Sequence, residues 1–487
     1  GGLTSALRLA HYGYEVTVLD AQAQAGGKVH TRDIAGSKID SGPTVFTMRW
    51  VFDDLLRSVG TSVEAEMQIT PLQVLARHYW PDGSQLDLSA DANQSEASIA
   101  AWAGGDEAKR FRTFCQTTRA LYATLEGPMI RAQRPQMSGF MADLGWRGLG
   151  VLAQLGPMRN LWQQLGHQFT DPRLRQLFAR YATYCGSSPW LAPATLQLIA
   201  QVEMDGVWSV QGGMVGMAKS LARVARSRGA TFRYHSSCRR IEMRQGRVSG
   251  VRLHSGEFLP ADIVVSNGDA SWTYRHLIEP QHRKHWTDKR IAKGKYSSGL
   301  FVWYFGTNRQ YHDVPHHMMV LGPRYKGLLQ DIFKNHKLSK DFSLYLYRPT
   351  ATDPSLAPEG CDSFYALSVV PNLSSDTDWP AVTEQYRDAI ATVLQESVLP
   401  DLKQHVVSSK VTTPQDFQDR LWSYKGAGFG LEPILVQSAW FRPHNRSQDV
   451  DGLFMVGASS QPGAGVPSVL MSAKMLEQVV PDVKSFV

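Results

Sequence analysis

The sequence predicts an α/β fold whose parallel-sheet part is assembled from discontinuous segments, with a second, α+β part interleaved between them. Three glycine-marked stretches predict it: one at the start of the 487-residue chain, one in the middle and one at the end. Each joins a small-residue turn to a helix and short apolar strands, the pattern of βαβ units.

The first stretch is GGLTSALRLAHYGYEVTVLD. Leu3, Ala6, Leu7 and Leu9 fall at helical spacing between the Gly1–Gly2 turn and the breaker Gly13, and EVTVLD then reads as a strand. Asp20 closes that strand 18 positions after Gly2, near the offset of about 20 residues at which a dinucleotide fold places the acid for a ribose 2′-OH. Gly1 and Gly2 therefore read as the tail of a G-x-G-x-x-G loop, in which glycines let the backbone approach a pyrophosphate at a helix N-terminus. The N-terminal strand and first glycines of that unit are expected to be missing from the chain.

In the middle, Gly212–Gly213 leads a helix that Gly229 ends. Short strands follow around Gln245–Gly246 and Ser255–Gly256, and then the apolar strand ADIVVSN. Cys238 is expected on a strand beside the ribose end of a dinucleotide, with its backbone facing an adenine edge; an ordinary βαβ segment remains an open alternative there. At the end, GLFMVG reads as a strand and ASSQPGAGVPS as a small-residue loop opening a helix near Val466. Gly457, Pro462, Gly463, Gly465, Val466 and Pro467 would gather backbone N–H groups and a positive helix end at one point, suited to an anionic or electron-rich ring system.

Bulk properties exclude several classes. With 43% hydrophobic residues the chain can fill large cores, yet it has no run of 18 or more uncharged apolar residues to span a membrane. Cys115, Cys185, Cys238 and Cys361 are scattered without metal-ligand spacing and read as buried thiols in a reducing compartment, so no metal site is expected. The net charge of +7 is dispersed rather than blocked, which argues against nucleic acid and for attraction to anionic lipid headgroups. No G-x-S-x-G, H-E-x-x-H or Walker motif stands out.

Longer stretches carry a resemblance. AGGKVHTRDIAGSKIDSGPTVFTMRWVF, YRPTATDPSLAPEGCDSFYALSVVPNL and SAWFRPHNRSQDVDGLFMVGASSQPGAGVPSVLMSAK resemble the phytoene desaturase family of carotenoid dehydrogenases, related in fold to the amine oxidases. Gly26, Gly27 and Lys28 stand at the family's Gly-Gly-Arg/Lys motif, and Asp40, Gly42 and Pro43 in its D-x-G-P-T element. The N-terminal half, through RYATYCGSSPWLAPATL, looks more like hydroxyneurosporene or methoxyneurosporene desaturases; from about TYRHLIEP the text looks more like bacterial phytoene desaturase. A mixed lineage and a hybrid chain both account for that. Two departures stand out: Asp20 replaces the usual Glu, and Ser459, Ser460 and Gln461 replace the usual Gly-Thr-His.

The resemblance implies a Rossmann-like FAD-binding domain in three parts, residues 1–90, 206–275 and 441–487, with substrate parts at 91–205 (membrane-facing) and 276–440. It implies FAD as cofactor, an acyclic C40 carotenoid as substrate, oxygen or quinone as electron acceptor, and a cytoplasmic enzyme peripherally associated with the membrane. Phytoene-type desaturation leads; 3,4-desaturation of a 1-hydroxycarotenoid, amine oxidation and a flavin-free carotenoid-binding role are the alternatives. A hydrocarbon offers no polar handle and no side chain accepts a hydride, so the chain should supply a cofactor cradle and an apolar tunnel rather than a catalytic triad. Catalytic residues are left unassigned. Trp208, Trp303, Tyr304 and Phe305 are candidate tunnel residues, with core packing as the competing reading, and 141–166 is a candidate membrane-facing amphipathic region. Among polar groups, Asp40, Glu203 and Arg442 are possible acid/base aids, with Asp40 read as satisfying turn N–H groups and Arg442 as pairing with a carboxylate or a cofactor phosphate. His78, His316 and His317 read as surface or satisfied core residues.

Overall fold

The computed structural model describes residues 1–131, 150, 159–438 and 441–486. The Gly2–His11 helix starts at the predicted turn, buries Ala6, Leu7, Leu9 and Ala10, and ends before Gly13, whose φ of +89° reverses the chain. The strand Thr17–Leu19 follows and pairs in parallel with Thr231–Arg233. A second parallel pair joins Val264–Ser266 to Leu453–Met455. The strands of each pair lie far apart in sequence, so this layer is assembled from distant segments, as expected.

The helices that cover it come from the same three stretches. Val215–Ser227, preceded by Gly212 and Gly213 at positive φ, packs on Gly2–His11, as does Val466–Lys474. Their apolar faces meet in one core with Phe46, Phe52, Leu55 and Leu56. The strand Cys238–Arg244 begins a three-stranded antiparallel sheet with Arg247–Leu253 and Phe258–Pro260, over the two predicted Gly turns.

The second layer is a seven-stranded sheet in the order 406–412, 299–307, 362–370, 344–347, 317–320, 74–79, 85–89. All its pairings are antiparallel except that of 317–320 with 74–79. Residues 74–89 thus join the sheet built from the later chain, although they precede the Ala92–Ala103 and Gly105–Leu125 helices.

The strand Gly299–Thr307 is buried along its whole length, and its period of two sorts its residues onto two faces. Phe301, Trp303 and Phe305 pack under the Trp379–Ser397 helix with Trp379, Tyr386 and Ile390. Leu300, Val302 and Tyr304 face Ile34, Ile39, Tyr365 and Phe417. Residues 92–125 and 161–204 supply the helices over the far end of the sheet, around Phe111, Phe114, Phe169 and Phe178. Most of the expected membrane-facing stretch, 141–166, lies outside the described residues; the described Leu161–Gln168 helix at its end turns Leu161 and Leu165 into this core.

Candidate active site

Between the two layers lies a cavity of about 1660 Å³, larger than the usual range of roughly 300–1,000 Å³ for a single-ligand pocket. Its lining brings together Gly1, Gly2, Asp20, Gly26, Gly27, Lys28, Gly42, Pro43, Cys238, Gly457, Pro462, Gly463, Gly465, Val466 and Pro467. These positions span the chain from its first to its last predicted signal.

At Gly1, Gly26 and Gly42 a side chain would collide with its surroundings. A Cβ on Gly1 would lie 2.2 Å from Asn267 Oδ1, and one on Gly457 would lie 3.1 Å from the same atom. Asn267 stands just past the Val264–Ser266 strand, where parallel strands of such sheets present ligand contacts. Its side chain thus lies close to both the first and the last segment. A Cβ on Gly42 would come 1.8 Å from the Lys28 carbonyl oxygen, and one on Gly26 2.2 Å from the Val29 carbonyl oxygen. Those two loops lie backbone on backbone.

Charges are few and specific. Lys28 Nζ donates to the Gly428 carbonyl at 3.0 Å; burial lowers its ammonium, partly offset by Asp269. Asp20 accepts from the Gln22 N–H at 2.9 Å, and burial raises its carboxyl. The Gly2–His11 and Val466–Lys474 helices point uncapped N-termini, at Gly1 and Gly465, into the cavity with no acid in either first turn. Both ends are therefore free to act on an anion.

Arg442 is the most exceptional charge. It is buried, makes only long contacts to the Leu431 (3.5 Å) and Ala458 (3.3 Å) carbonyls, and its Nε has no partner. Burial lowers its guanidinium to about 10. The carboxylate partner considered from the sequence is not found among the described residues, and a Cβ on Gly463 would sit 3.3 Å from Arg442 Nη1. Ser459 and Ser460, in the stretch that departs from the usual Gly-Thr-His, are buried hydrogen-bond partners of the Ala270 N–H (2.8 Å) and the Gly457 carbonyl (3.0 Å).

Other sequence candidates fall elsewhere. Trp208, Trp303, Tyr304 and Phe305 do not line the cavity. Trp303 and Phe305 point to the opposite face of the sheet, and Tyr304, though on the near face, is sealed by Ile39 and Tyr365. Asp40 is outside the cavity too. It accepts from the Met214 N–H and from Tyr347 Oη, each at 3.0 Å, and so clamps the Gly212–Gly213 turn, as its sequence reading expects. His78, His316 and His317 are buried, with imidazoles lowered by desolvation, and each bonds through Nδ1 to Leu86, Thr352 and Tyr345 respectively.

The apolar half of the cavity comes from residues that composition did not single out: Leu196, Ile199, Val202, Leu321, Leu328 and Val369. Set into this wall are Arg180, Tyr181, Tyr184 and Glu203. Arg180 Nη2 and Glu203 Oε2 are 2.6 Å apart, and Tyr181 donates to the same oxygen. Only Glu203 of this group was singled out in the sequence. A helix carrying Arg-Tyr-x-x-Tyr among buried apolar positions is the signal for the rest.

The donor set fits a flavin dinucleotide: two uncapped helix ends, backbone-tight glycine loops, a buried unpaired guanidinium and an acid after the first strand. The profile of the flavin containing amine oxidoreductase family matches residues 1–475, and the chain belongs to that family. FAD is the cofactor that the family and this cradle share. Within the family, the chain belongs with the phytoene desaturases. It is 38% identical to the neurosporene-forming phytoene desaturase of Cereibacter sphaeroides over 99% of this chain and 93% of that protein. It is also 38% identical to the hydroxyneurosporene desaturase of Rubrivivax gelatinosus, covering 98% and 91%, and 34% identical to the lycopene-forming phytoene desaturase of a Paracoccus species, covering 99% and 95%. Among solved structures, an oxidoreductase from Methanosarcina mazei superposes with a TM-score of 0.64 at 15% identity, over 98% of this chain and 97% of that one. A putrescine oxidase bound to putrescine gives 0.62 at 13%, over 98% and 96%. These two support the fold.

Proposed function

We propose that the chain is an FAD-dependent desaturase of an acyclic C40 carotenoid. The observation that carries this reading is that one cavity joins the glycine cradle to a long apolar wall. Bound FAD supplies the two-electron acceptor that no side chain provides. Gly1, Gly2 and Gly457 would admit its pyrophosphate to the Gly2–His11 helix end, Asp20 would take a ribose hydroxyl, and Arg442 with the Gly463–Gly465 loop would face the ring end. Cys238 would lie beside the adenosine end through its backbone. Residues 1–90, apart from the strands 74–79 and 85–89 of the second sheet, would then form the FAD part with 206–275 and 441–487, and 91–205 and 276–440 the substrate part.

The apolar wall binds a polyene by removing it from water, at about 25 cal/mol per Å² of apolar area buried, and it keeps water from the reacting carbons. An amine oxidase needs instead a site that holds a primary amine. The test is anaerobic: carotenoid in liposomes should bleach the flavin absorbance of the purified holoenzyme, while putrescine and benzylamine should not. Bleaching by amine alone would contradict the desaturase reading.

The reading includes a lipid surface from which so insoluble a substrate is taken. Leu435, Val436 and Phe441 are 56%, 67% and 54% exposed. Val436 and Phe441 share a surface depression with Lys289, Arg290 and Lys293. Apolar side chains ringed by cations suit an anionic bilayer. No helix among the described residues is long and apolar enough to cross a membrane. Oxygen or quinone is the proposed final electron acceptor.

A further inference from the structure

A carboxylate is set into the apolar wall of the cavity. Glu203 lies on the Leu198–Met204 helix, four residues after Ile199 and one after Val202, and all three line the cavity; residues four apart share a helix face. Glu203 is buried, yet its side chain keeps 11% of its surface accessible. Its two oxygens are used unevenly. Oε2 accepts from Arg180 Nη2 at 2.6 Å and from the Tyr181 hydroxyl. Oε1 accepts no hydrogen bond among the described residues, and it is not enclosed as the unpartnered Asp40 Oδ1 and Glu107 Oε2 are. The free oxygen therefore opens on the cavity.

A bridge that only held two helices together would have another geometry. Arginine meets a carboxylate most strongly through two parallel bonds. Here Arg180 gives the carboxylate one, and turns Nη1 to the Leu177 carbonyl at 2.9 Å and Nε to Tyr184 Oη at 3.0 Å. Replacing a buried ion pair by well-packed apolar residues is often neutral or stabilising, so stability alone does not explain a half-used carboxylate in a hydrocarbon wall.

We propose that Glu203 is the catalytic base of the desaturation, with Arg180 and Tyr181 as positioning residues that hold Oε2 and turn Oε1 to the substrate. The inference rests on the desaturase reading and adds the group that takes the proton. Desaturation breaks C–H bonds on two adjacent carbons. One hydrogen leaves with its electron pair to the flavin; the other leaves as a proton, and its bonding pair becomes the new C=C. Oε1 forms the O–H bond to that proton, and gives it up when the final acceptor, oxygen or quinone, takes two electrons and two protons. The carbon that loses the hydride is electron-poor in the transition state, and a fixed negative charge in a low-dielectric wall favours it.

Position supports this role. The Glu203 charge reaches Tyr345, whose hydroxyl meets Thr44 Oγ1 at 2.7 Å, two residues past Gly42 of the cradle. The Pro172–Tyr184 helix that carries Arg180 and Tyr181 runs on to Cys185, which the Arg442 charge reaches. Other carboxylates that line the cavity are placed for other work. Glu15 and Asp262 are exposed, Asp20 follows the Thr17–Leu19 strand, and Asp269 accepts from the Trp272 N–H at 3.0 Å with the Lys28 charge close by.

The test reads binding as well as turnover. Two probes, a C20 isoprenoid chain ending in trimethylammonium and the same chain ending in tert-butyl, differ only in charge. Their affinities for the holoenzyme in neutral detergent micelles are read from quenching of tryptophan fluorescence. The wild type is expected to bind the cation about tenfold more tightly than its isostere. Glu203→Gln, which keeps an acceptor for Arg180 and Tyr181, is expected to lose that preference. Anaerobic bleaching of the flavin by carotenoid is expected to be about a hundredfold slower or more in Glu203→Gln, with carotenoid affinity and flavin content unchanged. Equal affinities for the two probes in the wild type would overturn the base. So would bleaching in Glu203→Gln within about threefold of the wild-type rate, or a loss of carotenoid affinity or flavin along with the rate, which would mark a structural role. A wild type that bleaches with no carotenoid removes the desaturase reading as well, whereas one that bleaches while the probes bind equally removes only the base.

Discussion

Replacing Gly42 with alanine tests the cradle at its tightest point. The new Cβ would lie 1.8 Å from the Lys28 carbonyl oxygen and 2.8 Å from its carbon, whereas side-chain carbons keep at least 3.0 Å from such atoms. One of the two loops must therefore move by at least the difference, 3.0 − 1.8 = 1.2 Å. Neither neighbour is a flexible side chain, and the carbonyl belongs to the residue whose ammonium is fixed to Gly428. A displacement of about 1 Å in a positioning element costs on the order of 10²-fold in rate, so turnover is expected to fall about a hundredfold and FAD affinity to fall with it. The assay is the ratio of flavin to protein absorbance after dialysis, with the Kd from flavin fluorescence. Gly256→Ala is the control: its φ of +91° is strained by a side chain but nothing lies within 4 Å, so it should cost about 1 kcal/mol of stability without loss of flavin. Gly42→Ala with unchanged flavin affinity would refute the argument that this close approach shapes the cofactor site.

Three further outcomes follow from the same geometry. Asp40 is pushed up to about 6 by burial, above its unfolded value near 4, so the native state holds the extra proton between those values; the associated stability is full below about pH 4 and lost as pH rises through 6. Asp40→Asn keeps an acceptor for the Met214 N–H, and its urea-unfolding stability relative to wild type should rise by up to about 3 kcal/mol between pH 4 and 7; a difference independent of pH would contradict this. Arg442→Met removes a buried charge that has no acid partner among the described residues, so the apoprotein should gain about 1–3 kcal/mol while flavin retention falls at least tenfold; loss of both would show a structural role. Val436→Asp, at the most exposed apolar position of the surface patch, should weaken sedimentation with anionic vesicles about tenfold, and unaltered sedimentation would place the lipid contact elsewhere.

The sequence shows the cradle more clearly than the tunnel, for a physical reason. Cradle positions are set by backbone requirements: Gly26, Gly27, Gly457 and Gly463 all take positive φ, and Gly42 admits no side chain. Such constraints act on single residues and remain visible without knowing what pairs with what. The tunnel depends on which face of each strand meets the cavity. Period two tells that Trp303 and Phe305 share a face, but the side that face takes is decided by the Trp379–Ser397 helix, many residues away. Arg180 and Tyr184 are similarly hidden, since an arginine on a helix reads as solvated until Glu203 from another helix arrives at 2.6 Å.

The central claim is that this cradle and this wall act together on a carotenoid, and a pigment spectrum tests it most directly. The protein is expressed in cells that accumulate phytoene and, separately, in cells that accumulate 1-hydroxyneurosporene, and the extracted carotenoids are resolved by chromatography with absorption detection. At least one substrate should yield products with more conjugated double bonds and longer-wavelength absorption. Unchanged pigments in both strains, with soluble FAD-loaded protein present, would contradict the account.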